Sequence, residues 1–144
     1  MSDIESIREN LQKKLHKTYE NKDGYFDEYI NDFIIQFYTG ISKSFSLRNF
    51  EEINDFIVEN DDLISLLRNV EPIVREYFKN ESLFLEFVPD PEIDRDQLLL
   101  YICVDFSKNS TDEVLDKIHL IDKKIMPLKK GNAKGKFLVN VESL

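Results

Sequence analysis

The sequence has one cysteine, Cys103, and no tryptophan. A lone thiol excludes an intramolecular disulfide and any zinc site built on several thiolates. Four glycines and four prolines in 144 residues exclude collagen-like and low-complexity classes. No window approaches the ~18 consecutive apolar residues of a membrane span. The opening MSDIESIRENLQKKLHK lacks the apolar stretch of a secretory signal. There is no G-x-S-x-G elbow, no H-E-x-x-H and no Cys–His–Asn spacing, so the common hydrolase signatures are missing. An acidic chain with one unpaired thiol suits a reducing cytosol. The expectation is a cytoplasmic protein with no membrane association and no cofactor.

What is present supports a core. Apolar residues make up 42% and charged residues 33% of a 17.1 kDa chain, which fits one globular domain, residues 1–144. The formal net charge is −9, but it is unevenly placed. Residues 23–122 carry a net −15, whereas residues 123–141 hold six lysines and no acid. A global acidic field repels polyanions, and a local basic segment still attracts them.

The first ~80 residues read as four or five helices, because apolar residues recur at three- and four-residue spacing. Ile4, Ile7, Leu11, Leu15 and Tyr19 form one stripe. Phe26, Tyr29, Ile30, Phe33, Ile34, Phe37, Tyr38 and Ile41 form a broader one. A third helix is expected from Ser46 or Asn49, with Asn49 and Glu52 in a relaxed capping box. Asp61 or Asp62 caps the next. Pro72 breaks a helical ladder, so two short helices are expected to meet near 69–71, with one kinked helix as the other solution.

The period then changes from helix to strand. Leu83, Leu85 and Phe87 alternate with Phe84, Glu86 and Val88, as in a strand. QLLLYICVDF, residues 97–106, is apolar on both faces and reads as a central strand. Residues 110–125 read as a helix whose acids lead and whose lysines trail, in the order the helix dipole favours. FLVNVES, residues 137–143, is a last strand. The fold class expected is α+β: a helical part (1–80), then a β-β-α-β part (81–144) with a small, mostly antiparallel three-stranded sheet. LFLEFVPDPEID followed by QLLLYI and an acid-capped helix resembles a segment of small uncharacterised prokaryotic proteins. The resemblance spans residues 73–125, implies strand, hairpin and helix, and brings no activity or site residues with it.

Three features bear on chemistry. Asp90, Glu92, Asp94 and Asp96 alternate as in the start of a calcium loop, but Arg95 stands where the sharp turn needs glycine and Tyr101 where a bidentate Glu should close the site. A solvated hairpin loop is preferred to a metal site. Pro89-Asp90 and a strand ending Asp105-Phe106-Ser107-Lys108 resemble a metal-dependent nuclease element, but the lysine is one residue too far. KKGNAKGK, residues 129–136, has three residues between Gly131 and Gly135 where a P-loop needs four, and no helix follows it. Its Lys129, Lys130, Lys134 and Lys136 form a solvated loop beside an edge strand or a contact for nucleic acid or an acidic partner. His16 and His119 lack a ligand at helical spacing, and Cys103 reads as a small buried hydrophobe.

Eleven Phe and six Tyr give more apolar surface than one thin layer covers. The function expected is therefore a non-catalytic protein-interaction module, a homodimer or the partner of another protein. The first alternative is nucleic-acid association through the C-terminal lysines. The second is a metal-dependent hydrolase or nuclease using the acidic hairpin.

Overall fold

A computed structural model describes residues 41–90, 92 and 95–144. Both N-terminal apolar stripes, apart from Ile41, and His16 lie outside the described residues. The chain divides into two compact units, Met1–Lys43 and Ser44–Leu144, and the second carries the sheet. Its order is β1 (Ser46–Leu47), α1 (Phe50–Glu59), α2 (Asp62–Tyr77), β2 (Leu83–Val88), β3 (Gln97–Val104), α3 (Thr111–Ile125) and β4 (Phe137–Ser143). A single helical turn, Ser42–Ser44, precedes β1, and 3-10 turns at Met126–Leu128 and Gly131–Ala133 lead into β4.

The fold is α+β, but its sheet differs from the three-stranded, mostly antiparallel one expected. Four strands lie in the order β1-β2-β3-β4. β2 and β3 pair antiparallel, whereas β1 with β2 and β3 with β4 pair parallel. The physical reason for the second parallel pair is α3. A helix between two neighbouring strands carries the chain back to the end where the first strand began, and that produces parallel pairing. The fourth strand, Ser46–Leu47, is two residues long and carries no readable alternation.

Alternation along β2 and β3 sets the core. Leu83, Leu85, Leu98, Leu100, Ile102 and Val104 are buried, and Phe137 of β4 joins them. The intervening Phe84, Glu86, Leu99, Tyr101 and Cys103 are half-buried. The helices supply Ile53, Phe56 and Ile57 from α1, Leu63, Leu66, Leu67, Val70 and Val74 from α2, and Val114, Ile121 and Ile125 from α3. Each fully buried aliphatic contributes ~1.5–3 kcal/mol of transfer free energy.

α2 is one 16-residue helix with Pro72 inside it, not two helices meeting near 69–71. Pro72 and Arg68 are both exposed. The Arg68 carbonyl that loses its helical partner therefore belongs to a solvent-facing residue, where a missing bond costs less than in the core.

Asn49 occupies the position before α1 but makes no side-chain cap. Instead its amide reaches β2. Nδ2 donates to the Phe87 carbonyl at 2.8 Å, and the Phe87 N–H donates to Oδ1 at 2.8 Å. The side chain imitates one strand residue and closes the β2 edge beyond the short β1. The capping-box spacing with Glu52 thus marks the right helix start for a different reason.

Among the described residues, one buried amide side chain is left unsatisfied. Asn54 of α1 is 0% exposed, and neither its Oδ1 nor its Nδ2 has a hydrogen-bond partner. Such a group carries its full desolvation penalty, ~1–3 kcal/mol. Asn54→Leu keeps the branched shape and removes the polar atoms. It should stabilise the protein by about 1–2 kcal/mol in urea titration, and a loss of stability would show that the amide is satisfied in solution.

Candidate functional site

The lysine segment is built around Asn132. Lys129–Lys136 contains a 3-10 turn at Gly131–Ala133, and this turn docks on the start of α2. Asn132 Oδ1 accepts the Asp62 N–H at 2.9 Å, Asn132 Nδ2 donates to Asp61 Oδ1 at 3.0 Å, and the Asn132 N–H donates to Asp62 Oδ2 at 3.0 Å. A helix begins with N–H groups that lack partners. Here a residue 70 positions away satisfies one of them, and the Asp61 side chain makes no cap of its own. Asp61 and Asp62 mark the start of α2, but the side chain that meets the Asp62 N–H is that of the distant Asn132 and not a local cap.

The four lysines do not share one environment. Lys136 is half-buried and its ammonium donates to Asn60 Oδ1, while Asn60 Nδ2 donates to the Phe56 carbonyl at 2.9 Å. Lys129 is half-buried, and Lys130 and Lys134 are exposed.

The acidic hairpin is partly described. Asp90 Oδ1 accepts the Glu92 N–H at 3.2 Å, and its carbonyl accepts the Arg95 N–H at 3.1 Å. Glu92 and Asp96 are exposed, and Asp94 lies outside the described residues. Among the described residues no three His, Cys, Asp or Glu side chains converge as a metal-binding group.

Asp105 organises the turn after β3. Its Oδ1 accepts the Ser107 hydroxyl at 2.6 Å and the Ser107 N–H at 3.0 Å. The Ser107 hydroxyl and N–H hold the Asp105 carboxyl below the usual carboxylate range. A carboxylate so depressed favours the fold above its unfolded pKa, and that contribution is lost as the pH falls through the folded value. Ser107→Ala should raise the Asp105 pKa in an NMR titration. An unmoved titration would show that the hydroxyl does not hold the carboxylate.

The sheet face away from the buried core residues centres on Arg48. Its guanidinium lies 4.6 Å from the Phe84 ring centroid and 5.0 Å from that of Tyr101. It pairs with Glu142 at 2.6 Å and Glu86 at 3.4 Å. One side chain thus ties β2, β3 and β4 together through charge and stacking. Burial and the Glu86 carboxylate push the Tyr101 phenol up. Burial and Glu142 push the Cys103 thiol up, which disfavours the nucleophilic thiolate.

His119 lies on the exposed side of α3, in a shallow groove lined by Asp116, Leu120 and Lys123. Among the described residues no second imidazole or thiol lines that groove.

The remaining feature is the outer edge of β4. The Leu98 N–H donates to the Lys136 carbonyl at 2.8 Å, and the Leu144 N–H donates to the Val104 carbonyl at 3.0 Å. These two bonds fix the phase of the ladder. In parallel pairing alternate residues face the partner strand, so Leu138, Asn140 and Glu142 bond to β3. Val139, Val141 and Ser143 turn their backbone groups outward. Among the described residues no strand pairs with this edge. The Val141 N–H donates to the neighbouring Asn140 Oδ1, at 2.8 Å. Leu138, beside this edge, is 44% exposed. Sequence reasoning found the strand and its alternation. Its edge position depends on strand order, which no local pattern encodes.

Among the described residues no helix is long and apolar enough to cross a membrane. The chain matches no protein-family model, no curated protein and no solved structure.

Proposed function

We propose that the protein is a cytosolic, non-catalytic interaction module that receives an extended strand of another polypeptide along β4. The open β4 edge is the observation that carries this reading. A row of unpaired N–H and C=O groups is a template for strand addition. The opposite end of the sheet is closed by β1 and by the Asn49 amide, so the two edges are not equivalent. Exposed Leu138 and Leu144 supply apolar surface next to the open edge.

Val139→Pro tests this reading, because its N–H points outward and the β3 ladder does not use it. Proline is tolerated on strand edges for the same reason. Protein captured from the native cell by the wild-type chain and lost with Val139→Pro supports the reading. Partners retained by that variant overturn it. Nucleic acid recovered instead, and released by raising salt, would favour a contact through Lys130 and Lys134.

A further inference from the structure

We infer that Asn140 latches the β4 edge: its amide holds one of the outward N–H groups, and an incoming strand must displace it before the two can pair. This rests on the β4 edge being the interaction surface and concerns the regulation of that edge.

An open edge is a hazard as well as a site, because its row of backbone groups is a template for any other strand. Natural edges are blunted by short strands, lysine or proline. β4 uses none of these. It runs over seven residues, Phe137–Ser143, and FLVNVES holds neither lysine nor proline. Asparagine amides stand in their place on both sides of the sheet. On β2 the Asn49 amide takes both backbone groups of Phe87, which closes that edge. On β4 the Asn140 Oδ1 takes an N–H alone, that of Val141, at 2.8 Å. The β2 edge is sealed by two bonds, and the β4 edge is held by one.

The latch sits where pairing needs it to open. Val141 is the middle residue of the outward row Val139, Val141 and Ser143. Such a residue gives a new strand its N–H as well as its C=O, whether that strand runs parallel or antiparallel. Occupation of the Val141 N–H therefore removes one bond from the new ladder in either direction. The backbone that carries the latch is fixed, since Asn140 pairs in register with Tyr101 of β3. Its side chain is exposed and can swing away without disturbing the core. Opening is an exchange of acceptors: a carbonyl of the new strand replaces Oδ1 on the same N–H, and the freed amide returns to water.

Hydrogen exchange and light scattering on the full chain test the latch. Asn140→Ala removes the acceptor. It should lower the protection of the Val141 N–H, measured relative to that of Leu100 inside the sheet, by about 2- to 10-fold, the net worth of one hydrogen bond. Asn140→Asp keeps an acceptor oxygen and should retain the protection. An unlatched edge pairs more readily with the edges of other copies, so Asn140→Ala should begin to associate at a several-fold lower concentration than the wild type. Adding Val139→Pro to that variant should reverse the gain. Val141 protection unmoved by Asn140→Ala overturns the inference, since the amide then holds nothing. Equal association of the wild type and Asn140→Ala overturns it too, since the bond then restrains no pairing. A gain that survives Val139→Pro places the association away from β4 and overturns it as well. These readouts use this chain alone, so they decide the latch separately from the partner capture that decides whether the edge receives another polypeptide.

Discussion

Phe137→Ala should cost about 3–5 kcal/mol, the range for removing a fully buried aromatic side chain. Phe137 is 1% exposed, pairs in register with Leu98, and is the first residue of β4. Its ring is the inward anchor that brings the strand onto the sheet directly after the lysine segment. For a domain of ordinary stability, ~5–15 kcal/mol, such a loss is a large fraction of the whole. Leu138→Ala, one residue on, should stay within ~0.5 kcal/mol. That side chain is 44% exposed and points to the other face. Urea titrations at one fixed protein concentration compare the two. A small loss at Phe137, or equal losses at both positions, would mean that β4 does not hold the register described. The variant also separates stability from recognition. Leu138→Ala leaves the outward backbone groups in place, whereas Phe137→Ala loosens the strand that presents them.

The same strand shows how far the sequence can be read. Phe137, Val139 and Val141 on one face of FLVNVES follow from a period of two, and the structure buries or half-buries all three. The helix over Thr111–Ile125 was equally legible. Ser110 accepts the Glu113 N–H at 3.1 Å, acids occupy its first turn and lysines its last. Local chemistry was enough there because cap, dipole and apolar stripe agree. Where reading failed, the missing partner was distant. Asn49 and Glu52 look like a local cap, yet the Asn49 amide bonds to Phe87, 38 residues on. Ser46–Leu47 is a strand only because β2 lies beside it. The antiparallel expectation overlooked a consequence of the elements already identified, since a helix between neighbouring strands returns the chain in the same direction.

For the candidate site the division is similar. The lysine run and the acidic run were plain in composition. Whether a lysine is free depends on contacts that composition does not encode. Lys136 meets Asn60, 76 residues away. The open edge, which carries the proposed function, is a property of strand order and hydrogen-bond phase. No residue type marks it, although exposed Leu138 between inward-facing neighbours is its nearest local trace.

Gly131→Ala should cost about 2–4 kcal/mol, as the sum of backbone strain and the loss of hydrogen bonds. Gly131 has φ +57°, and an added Cβ would lie 2.0 Å from Asp62 Oδ2. The left-handed conformation alone costs an alanine ~1–2 kcal/mol. The overlap adds to it, because Asp62 Oδ2 accepts the Asn132 N–H at 3.0 Å and can move away only by giving that bond up. Gly135 separates the two contributions. Its φ is +76°, but the nearest atom to an added Cβ is Arg95 Nη1 at 3.6 Å, an ordinary contact. Gly135→Ala should therefore show the backbone cost alone, ~1–2 kcal/mol. Asp62→Ala provides the complementary background. With the carboxylate gone, the closest remaining Asp62 atom is Cβ at 3.8 Å, and Gly131→Ala should then cost no more than Gly135→Ala. The interaction term of this double-mutant cycle measures the clamp between the lysine segment and α2. A term near zero would mean that the Asn132 turn reaches its place without Asp62. The position of Lys136 would then depend on Asn60 and Phe137 instead.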